Sequence, residues 1–165
     1  MHGDGRVIMS ESVCTINKSG NKYWENSNGL FHRTDGPAVE CANGDKAWYF
    51  NGQRHRTDGP AIQWADGYKA WYLHGKLHRT NGPAVICANG DKHWYFNDQL
   101  HRVDGPAVEY ADGDKEWYFH GERHRTDGPA VERADGAKEY WYIGKQISKR
   151  KYYSKEFQVQ MIMES

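Results

Sequence analysis

Long apolar runs are missing from this chain of 165 residues, and so is an excess of either charge. No run approaches the length of a membrane span, and the N-terminus lacks the apolar stretch that directs export. The expectation is therefore a soluble protein of the cytoplasm, the host cytoplasm if the source is viral. The 22 basic and 22 acidic residues cancel, so bulk attraction to nucleic acid or to an anionic membrane is not expected. Cysteine is scarce. Cys14, Cys41 and Cys87 form an odd set without metal-motif spacing, so neither a disulfide framework nor a metal is anticipated. Aliphatic residues are also few, which excludes one thick aliphatic core. What the chain does have is seven Trp, eleven Tyr and 18 Gly, a composition suited to many small aromatic clusters joined by tight turns.

Self-similarity organises the rest. The string His-Arg-x-Asp/Asn-Gly-Pro-Ala begins at His32, His55, His78, His101 and His124, always 23 residues apart. Between these signals lie Trp48-Tyr49, Trp71-Tyr72, Trp94-Tyr95 and Trp117-Tyr118, then an inverted Tyr140-Trp141. A degenerate unit precedes them, with Gly20, Lys22, Trp24 and Gly29 matching after a one-residue slip. Asn-Gly and Asp-Gly pairs such as Asn43-Gly44 and Asn51-Gly52 supply the positive φ that two-residue hairpin turns need. Two short strands, 37–42 and 45–50, fall between them in the first full unit. A two-residue turn at Asn43-Gly44 would set Val39 opposite Trp48. Val39, Cys41, Trp48 and Phe50 would then share a core face, and Glu40, Ala47 and Tyr49 a presented face. Because one layer would leave Trp wet, the segment 53–58 is expected to fold back with Arg against the indole.

These signals divide the chain into a lead-in with the degenerate unit (1–31), five tandem hairpin repeats (32–144) and a C-terminal cap (145–165), where Ser154 can start a short helix. The expected fold class is all-β: an elongated, single-layer antiparallel β-meander of hairpin repeats with a short C-terminal capping helix. Two strands per unit would advance the array by about 10 Å per repeat.

The stretch Gly44–Arg56 resembles the MORN repeat, and Trp48–Ala61 is similar to the MORN-variant repeats of bacteriophage, giant-virus and bacterial proteins, which read Trp-Tyr-x-Asn-Gly-x-x-His-Arg-x-Asp-Gly-Pro-Ala. The resemblance covers roughly residues 20–144. It implies a grooved β-meander that serves scaffolding, dimerisation or phospholipid contact. His-Arg stands here where His-Gly is usual, so the lipid contact is not carried over.

Columns that repeat build the unit; columns that vary are where specificity is expected. The candidate binding residues are Tyr49, Tyr72, Tyr95 and Tyr118, with His93 beside them, and Arg56, Arg79 and Arg102, whose outer nitrogens could meet an anion. The Arg column also has a purely structural reading, as cover for Trp and partner of the Asp-Gly turn. A zinc ion shared along the His column is excluded, since equivalent residues about 10 Å apart cannot all reach one ion. His74/His78 and His120/His124 flank turns but offer only two ligands each. No phosphate loop, nucleophile–base pair or isolated carboxylate pair stands out, so neither an enzyme nor a cofactor is expected. The expected function is a non-enzymatic protein-interaction scaffold, with a protein partner or self-association, of the kind a phage uses against a host factor. The alternative is a small-ligand binder that sequesters a phosphorylated nucleotide signal through the Arg and aromatic columns.

Overall fold

The computed structural model describes residues 12–164, so most of the lead-in lies outside the described residues. The chain divides into two compact units, Met1–Lys76 and Leu77–Ser165. Each is an antiparallel meander. In the first, Val13–Ile16, Lys22–Glu25, Val39–Glu40, Lys46–Ala47, Ile62–Gln63 and Lys69–Ala70 pair in chain order. In the second, Val85–Ile86, Lys92–His93, Val108–Glu109, Lys115–Glu116, Val131–Glu132, Lys138–Tyr142 and Lys145–Ile147 do the same.

The register is offset by one residue from the sequence-based expectation. Val39 faces Ala47 and Glu40 faces Lys46, because the turn has three residues. Gly44 donates to the Cys41 carbonyl and Cys41 to that of Asp45, with only Gly44 at positive φ. This is a type I turn closed by a left-handed Gly, the next most common hairpin connection after the two-residue turn. A shift of one residue exchanges the faces of one strand relative to its partner. Val39 therefore shares a row with Ala47, Ile62 and Ala70, whereas Glu40 lies on the Trp side. The corrected row repeats as Val85, His93, Val108, Glu116, Val131 and Glu139, and its Val members are buried.

True two-residue turns occur in a second set of hairpins that branch from the sheet after each Trp. Tyr49–Phe50 pairs with Gln53–Arg54, Tyr95–Phe96 with Gln99–Leu100, and Tyr118–Phe119 with Glu122–Arg123. Both central residues of these turns have positive φ: Asn51-Gly52, Asn97-Asp98 and His120-Gly121. Trp is the branch point. Trp48 donates to Ala61 of the next hairpin and Trp117 to Ala130, and both alanines are fully buried. The alanine of every Pro-Ala pair is enclosed in the same way.

The segment after each side hairpin folds back over the indole as anticipated. The guanidinium carbons of Arg33, Arg56, Arg102 and Arg125 lie 4.0, 4.0, 4.1 and 4.0 Å from the ring centroids of Trp24, Trp48, Trp94 and Trp117. A Cβ on Gly59 would fall 2.9 Å from the Arg56 guanidinium carbon. The Gly of Asp-Gly-Pro is therefore there for close approach, forming the second face of an indole–guanidinium–backbone sandwich.

The last unit replaces this sandwich. Tyr140 stands at the Trp position, and helices α1 (Lys149–Tyr152) and α2 (Lys155–Glu164) bring Tyr152, Phe157 and Met161 into a buried cluster with Tyr140 and Tyr142. Ser148 caps α1 through Lys151 N–H. Ser154 Oγ accepts from Phe157 N–H, the N-cap read from the sequence.

Candidate functional site

The arginines expected to bind an anion make hydrogen bonds inside the protein. Arg102 donates from Nε to Asp104 at 2.9 Å, and from one terminal nitrogen to the Pro106 carbonyl at 3.2 Å and Glu109 at 2.9 Å. Arg56 repeats this with Asp58 and the Pro60 carbonyl, and Arg79 with Asn81 and the Pro83 carbonyl. Arg102 thus has three acceptors and Arg56 and Arg79 two each, with an indole beneath Arg56 and Arg102, so the column serves to build the unit.

Tyr49 and Tyr72 hydroxyls accept from Arg54 at 3.4 and 3.3 Å. Tyr118 donates to Glu116 at 2.9 Å and accepts from Arg123 at 3.1 Å. The Tyr95 ring stacks on His93 at 6.4 Å. The structure thus joins His93 with Tyr95, and it sets Tyr118 beside Arg102 in the lining of one groove. An ion-pair network missed by the sequence reading lies on the Tyr side. Buried Glu116 receives Arg123 at 3.0 Å and Arg133 at 3.3 Å, and Arg133 also meets Asp114 at 2.8 Å. Only the corrected register places Glu116 on the same face as Arg133.

Most of the His column shares one job, while His78 Nδ1 instead meets Asn97 Oδ1 at 2.9 Å. Nδ1 of His55 accepts from His74 N–H, that of His101 from His120 N–H and that of His124 from Ile143 N–H, each at 3.1–3.2 Å. Because a backbone N–H can only donate, these Nδ1 atoms are unprotonated and the rings are neutral. His120 lies against His101, with ring centroids at 4.5 Å, so its neighbour is not His124, as the turn had suggested.

Between successive Arg-to-Gly arms of the second unit lie open grooves. The larger, about 900 Å³, is lined by Trp117, Tyr118, Phe119, His124, Tyr142 and Ile143 and by the arms 102–105 and 125–127. The next, about 520 Å³, is lined by Trp94, Phe96 and His101 between the arms 79–82 and 102–104. Both share Val103, which is 83% exposed where the other four units carry Thr34, Thr57, Thr80 and Thr126. Ile143 adds a second anomaly. It is a β-branched residue at φ 45°, half exposed, in a position that favours Gly or Asn. The rim is acidic: the Asp104 and Asp127 side chains are 84% and 79% exposed, whereas Arg102 and Arg125 are 21% and 19% exposed. The Arg102 guanidinium, by hydrogen bond and charge, holds the Asp104 carboxyl below its usual range.

Among the described residues no helix is long and apolar enough to cross a membrane. Comparison with protein-family models and with curated proteins finds no match for the chain.

Proposed function

We propose that this chain is a non-enzymatic protein-interaction module that holds an extended segment of a partner protein in the consecutive grooves of its second unit. The observation that carries this reading is Val103, an exposed apolar residue shared by two aromatic-lined grooves where every other unit has Thr. Strain at Ile143 supports it, since unfavourable backbone in an exposed groove is typical of residues kept for contact. Grooves repeating about every 10 Å match every third residue of an extended chain, which advances about 3.3 Å per residue. The partner segment is thus apolar-x-x-apolar, with Lys or Arg flanking it to meet Asp104 and Asp127. The phosphate-binding alternative is disfavoured by the Arg column, whose guanidinia already have their acceptors. The MORN-like resemblance agrees with scaffolding and adds no further residue.

Panning a random peptide library against the whole chain tests the proposal. Enrichment of apolar-x-x-apolar peptides with basic flanks is expected. Val103→Thr, which restores the array's usual residue, should leave the melting temperature unchanged and weaken those peptides about tenfold or more, as for a central contact residue. No enrichment, or enriched peptides indifferent to Val103→Thr and Phe119→Ser, would overturn it.

A further inference from the structure

Among the described residues, one group brings together three metal-ligand types: the Cys87 thiol, the Asp91 carboxylate and the His93 imidazole, whose ligand atoms all lie within 4.8 Å of one another. The three-residue turn creates it. Cys87 N–H donates to the Asp91 carbonyl, so these residues face each other across the hairpin, and His93 follows two positions later on the same face.

We propose that Cys87, Asp91 and His93 form a binding site for a zinc-type divalent cation, with the fourth coordination position left to water or a partner's ligand. The array itself shows what is unusual here. In the next unit the equivalent positions are Tyr110, Asp114 and Glu116, and that acidic pair is neutralised by Arg133. In the first full unit they are Cys41, Asp45 and Ala47, which lack the imidazole. Among the described residues, only the Cys87 hairpin combines sulfur, nitrogen and oxygen donors, and its carboxylate has no ion pair with a Lys or Arg there.

The donors are also held in place. Asp91 accepts from Ala111 N–H at 2.8 Å through Oδ1 and from Asn89 Nδ2 at 3.0 Å through Oδ2. These bonds orient the carboxylate and leave further lone pairs, the outer support typical of metal ligands. The His93 ring is fixed between Tyr95 and Tyr110. Neither the thiol nor the imidazole makes a side-chain hydrogen bond among the described residues, although both are half-buried. Tetrahedral zinc, bonded at about 2.0–2.3 Å, sets its ligand atoms about 3.5 Å apart. Modest side-chain rotation of Cys87 and His93 closes the difference. A thiol that becomes a thiolate ligand gives up its proton, so each ion bound releases one proton as the sulfur–metal bond forms. The mix of sulfur, nitrogen and oxygen selects zinc or cobalt over magnesium or calcium.

Cobalt(II) titration of the whole reduced chain carrying Cys14→Ser and Cys41→Ser reads this directly. One ion per chain should bind, with a thiolate-to-cobalt charge-transfer band, the intense ligand-field absorption of tetrahedral geometry and release of one proton. Zinc should bleach the spectrum stoichiometrically and raise the melting temperature. His93→Ala restores the residue of Ala47 and Ala70, so it keeps the fold. It should weaken binding by at least about tenfold and abolish the tetrahedral signature, and Cys87→Ser should remove the charge-transfer band. No band at millimolar cobalt, or a tetrahedral spectrum that survives His93→Ala, would overturn the proposal.

Discussion

Gly59 does not sit in the left-handed region, yet a Cβ there would collide with the Arg56 guanidinium carbon at 2.9 Å. Gly59→Ala should cost about 1–3 kcal/mol in urea unfolding, the range for overpacking a tight site. In an Arg56→Ala background most of that cost should vanish, because the guanidinium is what the methyl group displaces. Ile143 invites the opposite change. Ile143→Asn relieves a β-branched residue at φ 45° and should stabilise the fold by about 1 kcal/mol. The same change should weaken any peptide selected by the grooves. A variant gaining stability with undiminished peptide binding would show that the strain is unconnected with contact. The histidines set a pH dependence. Burial, reinforced by His74 and His120 respectively, holds His55 and His101 below the usual imidazole range, and burial does so for His124. The unfolded chain then takes up protons first. Their stabilisation is complete above about pH 6.5 and is lost as pH falls below it towards the folded-state values. The melting temperature should therefore fall between about pH 7 and pH 5; a flat profile would mean that burial does not disfavour the charged imidazoles.

At the level of elements, the repeat length, the side-hairpin turns, the folded-back Arg and the Ser154 cap were all legible, because each depends on neighbours close in sequence. The main-turn register was not. Asn43-Gly44 satisfies both a two-residue turn and the last two positions of a three-residue one. Only the pairing of Lys46–Ala47 with Ile62–Gln63 fixes which occurs. That single offset hid two sites, since Glu116 beside Arg133 and Cys87 beside His93 both appear only after the faces are exchanged. It also made the Arg column look available, because its Glu109-type partners had been placed on the wrong side. The capping helices carry a sharper expectation. Phe157 and Met161 are buried against Tyr140 and Tyr142 while Val159 and Ile162 are exposed. Phe157→Ala should destabilise the second unit by about 3–5 kcal/mol, whereas Val159→Ala should stay within about 0.5 kcal/mol, as for an ordinary surface site. Thermal unfolding followed by near-ultraviolet circular dichroism separates the two.

For the molecule as a whole, interactions between repeats reach one unit onward. Asp45 accepts from Ala65, Asp91 from Ala111 and Asp114 from Ala134, each spanning the same position in the next repeat. Stability should then be a sum of unit and neighbour contributions. Removing residues 101–123, one complete period, should leave a folded, cooperatively melting protein. Removing half a period should not, because every later donor would meet the wrong acceptor. Circular dichroism of the two deletions decides it. The inverted Tyr140-Trp141 pair carries this logic into the chain's history. A duplicated segment inserted upstream finds an Asp, an Ala and an Arg waiting on each side, but one added after Gly144 would meet the cluster of Tyr152, Phe157 and Met161 in place of the next Arg arm. Lineages of such proteins should therefore lengthen from within, with internal units most alike and the terminal sentence copied unchanged.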